Sequence, residues 1–533
     1  MTDEGDCDCI ITGAGTAGCV PANRLTAGGK TRVLLLKAGG SDRYHWAQNP
    51  VGYLCCIGNP RTDWMMKTAA EPGLNRRRLS YPRGKVLGGC SSVNGMIYMP
   101  GLAADYDHWR QPGNPGWGWD DVLPCFRRSG DHCDGEGPMH GAGGEWRVER
   151  QRLSWESLRA VQEGAKEFGI LPRQDFNDGT NGGPGFFQGN QSRGLCWNTA
   201  RGFLRPAMRR GNLRVVTHAL VQRLISDGCR ATGVEWLADN APFRAGARAG
   251  IILPAGAINS PKLLALSGIG QPDRVASPGI PVALDLPGVG ENLQDHLQTR
   301  TVFKGRGTST LNDMAGSLFG KARIVLQYAL ARSGPMSMAP SQFGMFTRSG
   351  PDRGTPDLVY HVQPLSTDRL GNPPHPFPAI TVSVCNLRPT SVGSVHATTA
   401  RPGVQPEIRL NCLSTDEDRR IAVASVRQAR RIMTARALRP YAPEEWLPDP
   451  GFETDAEPAA KAGDIATTIF HPVGTCRMGN GKDAVVDPDL KVKGMSGLRI
   501  VDASIMPGIV SGNTASPVIM IAERAAEMIP GRD

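Results

Sequence analysis

The chain has 533 residues, of which 40% are apolar and 21% charged, with a formal net charge of +10. That length exceeds one ordinary core and implies more than one domain, in the compositional range of a globular protein. No run of eighteen apolar residues occurs, so no membrane-spanning helix is expected. The arginines at Arg76–Arg78, Arg209–Arg210 and Arg430–Arg431 are scattered among acids without an aromatic platform, which ranks nucleic-acid binding last.

The N-terminus "MTDEGDCDCI" is acidic and lacks a basic segment followed by an apolar one, so no secretory signal is expected. Thirteen cysteines are dispersed, and neither Cys7–Cys9 nor Cys55–Cys56 has a second ligand pair at zinc spacing. Reduced thiols in a cytoplasmic protein without a metal site are the expectation. Peripheral attachment to the inner membrane stays open.

"DCDCIITGAGTAGCVPANRL" predicts a strand, a glycine turn and a helix. Gly13, Gly15 and Gly18 fit G-x-G-x-x-G: the first makes the tight turn, the second admits a pyrophosphate, and the third lets helix and strand approach. The free N–H groups of the helix N-terminus would face the phosphates. A second apolar run, "RVLLLKAGG", supports a dinucleotide site. Lys37 ends that run where an acid would accept from the ribose hydroxyls; an ammonium only donates. Read from the residues, Lys37 is either a lost contact or a switch toward a 2′-phosphate. Pro21 is placed in the early interior of the helix, removing a donor and kinking it.

Further along stand "YPRGKVLGGCSSVNGMIYMPG", "AGAINSPKLLALSGIG", "DLPGVGENLQDH", "IFHPVGTCRMG" and "LRIVDASIMPGIVSGNTASPVIMIAERAAEMI". In this order they resemble the glucose–methanol–choline family of FAD-dependent oxidoreductases from end to end. The nearest likeness is to bacterial choline-dehydrogenase-like and acceptor-dependent alcohol dehydrogenases. The resemblance implies an α/β fold: a Rossmann-like FAD-binding domain (1–150, 195–300 and 465–533) with a discontinuous α+β substrate domain (151–194 and 301–464) built on an antiparallel sheet. "DLVYHVQPLS" and "AITVSVCNLRPTSVGSVHA" alternate as such strands.

The cofactor implied is FAD, which has a free 2′-hydroxyl, so Lys37 reads as a weakened contact. Some relatives attach FAD through a histidine at the place of Val93, so binding here is expected to be non-covalent. Cofactor contacts are expected from Gly13, Gly15, Gly18, Lys37, Gly88, Gly89, Ser91, Asn94, Val221, Asp502 and Asn513. Pro100 stands where close relatives tend to have arginine. Of ten histidines, His471 alone has comparable motif support, and the resemblance implies that it is the base that takes the hydroxyl proton. Asn513 would hydrogen-bond the substrate oxygen, Ser516 would cap the final helix, and Pro517 would start it.

The function implied is oxidation of a primary alcohol to an aldehyde by hydride transfer to flavin N5, with oxygen or a quinone-type acceptor. The alternatives are a flavin-containing lyase of the same family and a catalytically impaired FAD-binding paralogue. "GPMSMAPSQFGMF" (334–346) is either pocket lining or core, and no aromatic-and-acid cage for choline is evident.

Overall fold

A computed structural model describes residues 1–368, 372–448 and 458–529. Two seven-stranded sheets organise the chain. Along the first, the order is Leu213–Thr217, Val33–Lys37, Thr2–Ile11, Ala241–Leu253, Arg230–Ala238 and Leu220–Asp227, with Leu498–Ile500 added beside Ala241–Leu253. The pairings from Leu213–Thr217 to Ala241–Leu253 and on to Leu498–Ile500 are parallel; the other two are antiparallel. Val33–Lys37 is buried at every position, as its unbroken apolar run requires of a parallel strand covered on both faces.

The helix Cys19–Thr26 follows the glycine turn and packs on the C-terminal helix Ala515–Met528. Arg24 fixes that contact with a two-nitrogen fork to Glu523, whose side chain is fully buried, and a second fork to Glu145. Buried charge is tolerable there because each carboxylate is met by parallel N–H donors. The structure corrects the expectation for Pro21. The helix begins at Cys19, so Pro21 lies in its first turn, where backbone N–H groups lack intrahelical acceptors anyway.

The second sheet is antiparallel throughout, in the order Glu444–Leu447, Leu297–Lys304, Ala379–Asn386, Leu358–Gln363, Phe343–Thr347 and Gly183–Phe186. Ala466–Thr468 also pairs with Leu297–Lys304. Strand alternation gives this sheet two faces. Tyr360, Val362, Val382 and Val384 join Ile421, Ala429 and Ile432 of the helix Asp416–Met433 in one core. Full burial of each such aliphatic side chain is worth about 1.5–3 kcal/mol. The opposite face carries Gln298, Arg300, His361, Gln363 and Ser383, which line a cavity. The expected boundary at 300 falls inside the strand Leu297–Lys304, and Ala466–Thr468 joins the second sheet. Ser394–His396, read as part of that sheet, pairs instead with Glu407–Arg409.

Candidate active site

A cavity of about 1330 Å³ runs between the two sheets. At its nucleotide end, a Cβ on Gly18 would lie 1.7 Å from the Gly13 carbonyl oxygen, so this glycine lets helix and strand close up. Gly15 lines the cavity, and its nearest neighbour across from a Cβ is Gly89, 4.0 Å away. Gly89 adopts φ +56°, and a Cβ on it would lie 2.7 Å from the Gly15 Cα. The two glycine turns therefore face each other and leave backbone open to a ligand.

Gly13, Lys37, Asn94, Val221, Asp502, His471 and Asn513 also line this cavity; Gly18, Gly88 and Ser91 are not among its lining residues. Their contribution is to the wall behind. The Ser91 hydroxyl donates to the Gly88 carbonyl at 2.7 Å. Asp502 lines the cavity, and its carboxylate accepts from Gly256 N, Ser260 Oγ and Ser504 N at 2.6–2.8 Å. It anchors the start of the helix Gly256–Leu266.

The chemical end is built around His471. Its backbone N–H donates to Asp295 Oδ1 at 2.8 Å, and Asp295 Oδ2 accepts from the Tyr81 hydroxyl at 2.7 Å. His471 Nδ1 lies 3.0 Å from His296 Nδ1, and His471 Nε2 lies 3.2 Å from Asn513 Nδ2. His296 Nε2 is 3.3 Å from the Leu387 carbonyl oxygen.

These contacts fix the protons. A carbonyl only accepts, so His296 carries its proton on Nε2, and its Nδ1 accepts when the ring is neutral. His471 must then donate from Nδ1, which leaves a lone pair on Nε2 facing Asn513 and the cavity. Burial holds His296 down to about 4 and pushes His471 well below the usual imidazole range, with the His296 and His361 charges adding to the effect on His471. Both rings are neutral at pH 7. The arrangement is a proton acceptor beside an amide donor.

Similarity to known proteins agrees with this geometry. The N-terminal GMC oxidoreductase family pattern matches residues 7–298 and the C-terminal one residues 389–522. The chain belongs to the GMC oxidoreductase family. It is 38% identical to the mitochondrial choline dehydrogenase of Mus musculus, with 98% of this chain and 89% of that protein covered. Identity is also 38% to the alcohol dehydrogenase [acceptor] of Pseudomonas putida (98% and 95% covered) and to an oxygen-dependent choline dehydrogenase of Stenotrophomonas maltophilia (100% and 96% covered). Among solved structures, pyridoxine 4-oxidase from Mesorbium loti superposes with a TM-score of 0.88 at 30% identity, covering 98% of this chain and 99% of that one. A formate oxidase gives 0.92 at 26%, covering 99% of each.

As a GMC oxidoreductase, the protein is an FAD-dependent flavoprotein acting on CH–OH donors. Its residues fit that cofactor. The facing glycine turns give close backbone approach, and Lys37, Lys67, Arg77 and Arg83 also line the cavity, so its walls carry positive charge suited to an anionic cofactor.

Three corrections concern single residues. Ser516 is not the cap of the final helix: Thr514 is, and Ser516 lies inside with a buried hydroxyl. Pro517 accordingly sits at the third helical position. His296, which the motifs do not single out, closes "DLPGVGENLQDH", and its position immediately before a strand is the signal that marks it. The stretch 334–346 divides, with Met338, Pro340 and Ser341 lining the cavity while Phe343, Met345 and Phe346 enter the cores.

Proposed function

We propose that the protein oxidises a primary alcohol to its aldehyde, with His471 as the base, Asn513 as the donor to the substrate oxygen, and FAD held non-covalently. Bound FAD supplies the acceptor for the carbinol hydride at N5. His471 Nε2 takes the hydroxyl proton, while Asn513 Nδ2 donates to the oxygen as charge develops on it. His296 positions the base by accepting from its Nδ1. The observation that carries this reading is His471 Nε2 standing 3.2 Å from Asn513 Nδ2 inside the cavity, with Nδ1 held by His296. Val93, buried at the cavity wall where an attaching histidine would stand, supports non-covalent binding.

Rapid mixing with alcohols under nitrogen tests the proposal. Wild-type flavin bleaches; His471→Ala retains yellow FAD and bleaches at least about 10³-fold more slowly, within the range that base removal costs. Near-normal bleaching by that variant overturns the assignment. A wild-type flavin that no alcohol bleaches, in a protein that cleaves cyanohydrins, favours the lyase alternative.

On the acceptor side, we propose docking to an anionic lipid surface, which supports a quinone-type acceptor. The helix Leu318–Ala331 turns only Ile324 and Tyr328 inward, the latter donating to the Gly194 carbonyl. Leu318, Phe319 and Leu330 are 80% or more exposed, and Val325 and Leu326 more than half. On a helical projection they form one arc flanked by Lys321 and Arg323, and the helix contains no acid. That is the pattern of an interfacial helix. Leu311 and Met338, on either side of it in sequence, line the cavity. Among the described residues no helix is long and apolar enough to cross a membrane. Phe319→Asp with Leu330→Asp should abolish co-sedimentation with phosphatidylglycerol vesicles; equal sedimentation of both proteins counts against the surface.

A further inference from the structure

The polar floor of the substrate side of the cavity carries a charge that the reaction does not use. Strand alternation points Gln298, Arg300 and Val302 into the cavity, while the intervening Thr299 and Thr301 donate to the Val384 and Val382 carbonyls on the other face. Arg300 stands directly opposite Ser383, which stands opposite His361, so the three form one row across the sheet floor. His361 is close enough to His296 and His471 to depress both. The row is therefore adjacent to the chemistry. At about 3.3 Å per residue, the Arg300 Cα lies roughly 13 Å along the strand from that of His296, and its side chain spans part of the gap.

Arg300 is held weakly. Nη1 donates to the Asp368 backbone carbonyl at 3.3 Å, and among the described residues no carboxylate lies within ion-pair distance of the guanidinium. Burial works against its charge, and the Asp368 carboxylate only partly offsets this; arginine nevertheless stays protonated. The acids lining the cavity are already engaged. Asp63 accepts from the backbone of Gly58, Met65 and Arg83, and Asp464 from Asn75. Asp368 faces His375, and Asp502 caps a helix as described. A half-buried cation facing a cavity whose acids are engaged is complementary to an anion, and it repels a quaternary ammonium.

We propose, resting on the alcohol-oxidation reading, that Arg300 selects substrates carrying an oxyanion, a carboxylate or phosphate, several atoms from the carbinol carbon. The planar fork of the guanidinium suits both groups, and a hydroxyalkyl carboxylate or hydroxyalkyl phosphate spans the distance between His471 and the row. Choline, with a fixed positive charge at that end, is a poor substrate.

The experiment uses the holoenzyme, so that FAD fills the pyrophosphate region, and non-oxidisable probes titrated by their effect on the flavin absorbance. Pentanoate and butyl phosphate are compared with neutral pentanamide and with butyltrimethylammonium, on wild type, Arg300→Gln and Arg300→Glu. At least one anion should bind wild type about tenfold or more tightly than pentanamide, as expected of a partly desolvated charge pair. Whichever anion binds more tightly identifies the carboxylate or phosphate class. Arg300→Gln should erase the preference, and Arg300→Glu should turn it toward butyltrimethylammonium. Equal binding of anions and pentanamide by wild type, or an anion preference that survives in Arg300→Gln, overturns the proposal. The ratio of kcat/KM for 5-hydroxypentanoate over 1-pentanol should fall in parallel. If no alcohol bleaches the flavin yet pentanoate binding depends on Arg300, the reaction reading fails and the anion site stands.

Discussion

Lys37 lines the cavity at the end of the strand Val33–Lys37, with its ammonium stripped of water. Burial pushes it down to about 8, and among the described residues its contact is a long one, 3.5 Å to the Gly84 carbonyl. A carboxylate at the same Cα would accept from ribose hydroxyls, a gain of about 1.5–3 kcal/mol for a charge-assisted bond. Lys37→Glu should therefore hold FAD about tenfold or more tightly; equal flavin loss on serial dilution of mutant and wild type rejects this. His296 belongs to the same scale. Replacing it with Asn keeps a polar group but releases His471 Nδ1, so the Nδ1–H tautomer, with its lone pair on Nε2, is no longer enforced. Flavin reduction should slow about 10- to 100-fold, with a displaced pH profile, because the residue acts on the orientation and basicity of another. A uniform loss of rate at unchanged pH dependence would mark a merely structural role.

At the scale of single elements, the distance over which information acts decides what a sequence discloses. The glycine turn was legible because part of its requirement is local: Gly18 must clear the Gly13 carbonyl five residues before it, whereas Gly13 also faces Pro254 and Gly15 faces Gly89. His296 and Arg300 were not, since their meaning depends on partners brought close by pairing at distant positions, His471 and Ser383. The start of the final helix lies two residues before its expected place because Ser516 has the chemistry of a cap, whereas the backbone enters the helix at Thr514. Pro21 gives a test of how first turns tolerate a missing donor. Pro21→Ala should change unfolding stability by no more than about 1 kcal/mol, against the ~3 kcal/mol expected for relief of an interior proline. Denaturant midpoints of the two proteins check this.

For the molecule as a whole, the resemblance of five ordered motifs fixed the two-sheet plan, but not how the sheets share strands. Leu297–Lys304 begins beside the His296–His471 pair and forms part of the cavity wall, so one strand serves both units. The shared region buries three neutral imidazoles, and this has a cost in acid. His361 is held down to about 4 by burial, against about 6.5 in an unfolded chain. Below pH 6.5 the unfolded state binds a proton that the folded state refuses, so this group's stability contribution falls as pH drops from 6.5 toward 4. The loss approaches about 3 kcal/mol at the lower limit. His361→Leu removes the term, so its Tm should rise relative to wild type as pH is lowered through that window. A constant Tm difference from pH 7 to 4.5 would show that the imidazole is not kept neutral.

In the proposed reaction, the hydrogen-bonded pair of imidazoles also sets the fate of the proton that His471 would collect. Once Nε2 of His471 is protonated, the extra charge can be shared across to His296, but the far nitrogen of that ring points at the Leu387 carbonyl, which cannot relay it onward. The path is blind. On the proposed reading, a proton taken by Nε2 therefore leaves from the cavity side of His471 and not through His296, so resetting the base is coupled to readmission of water to the cavity.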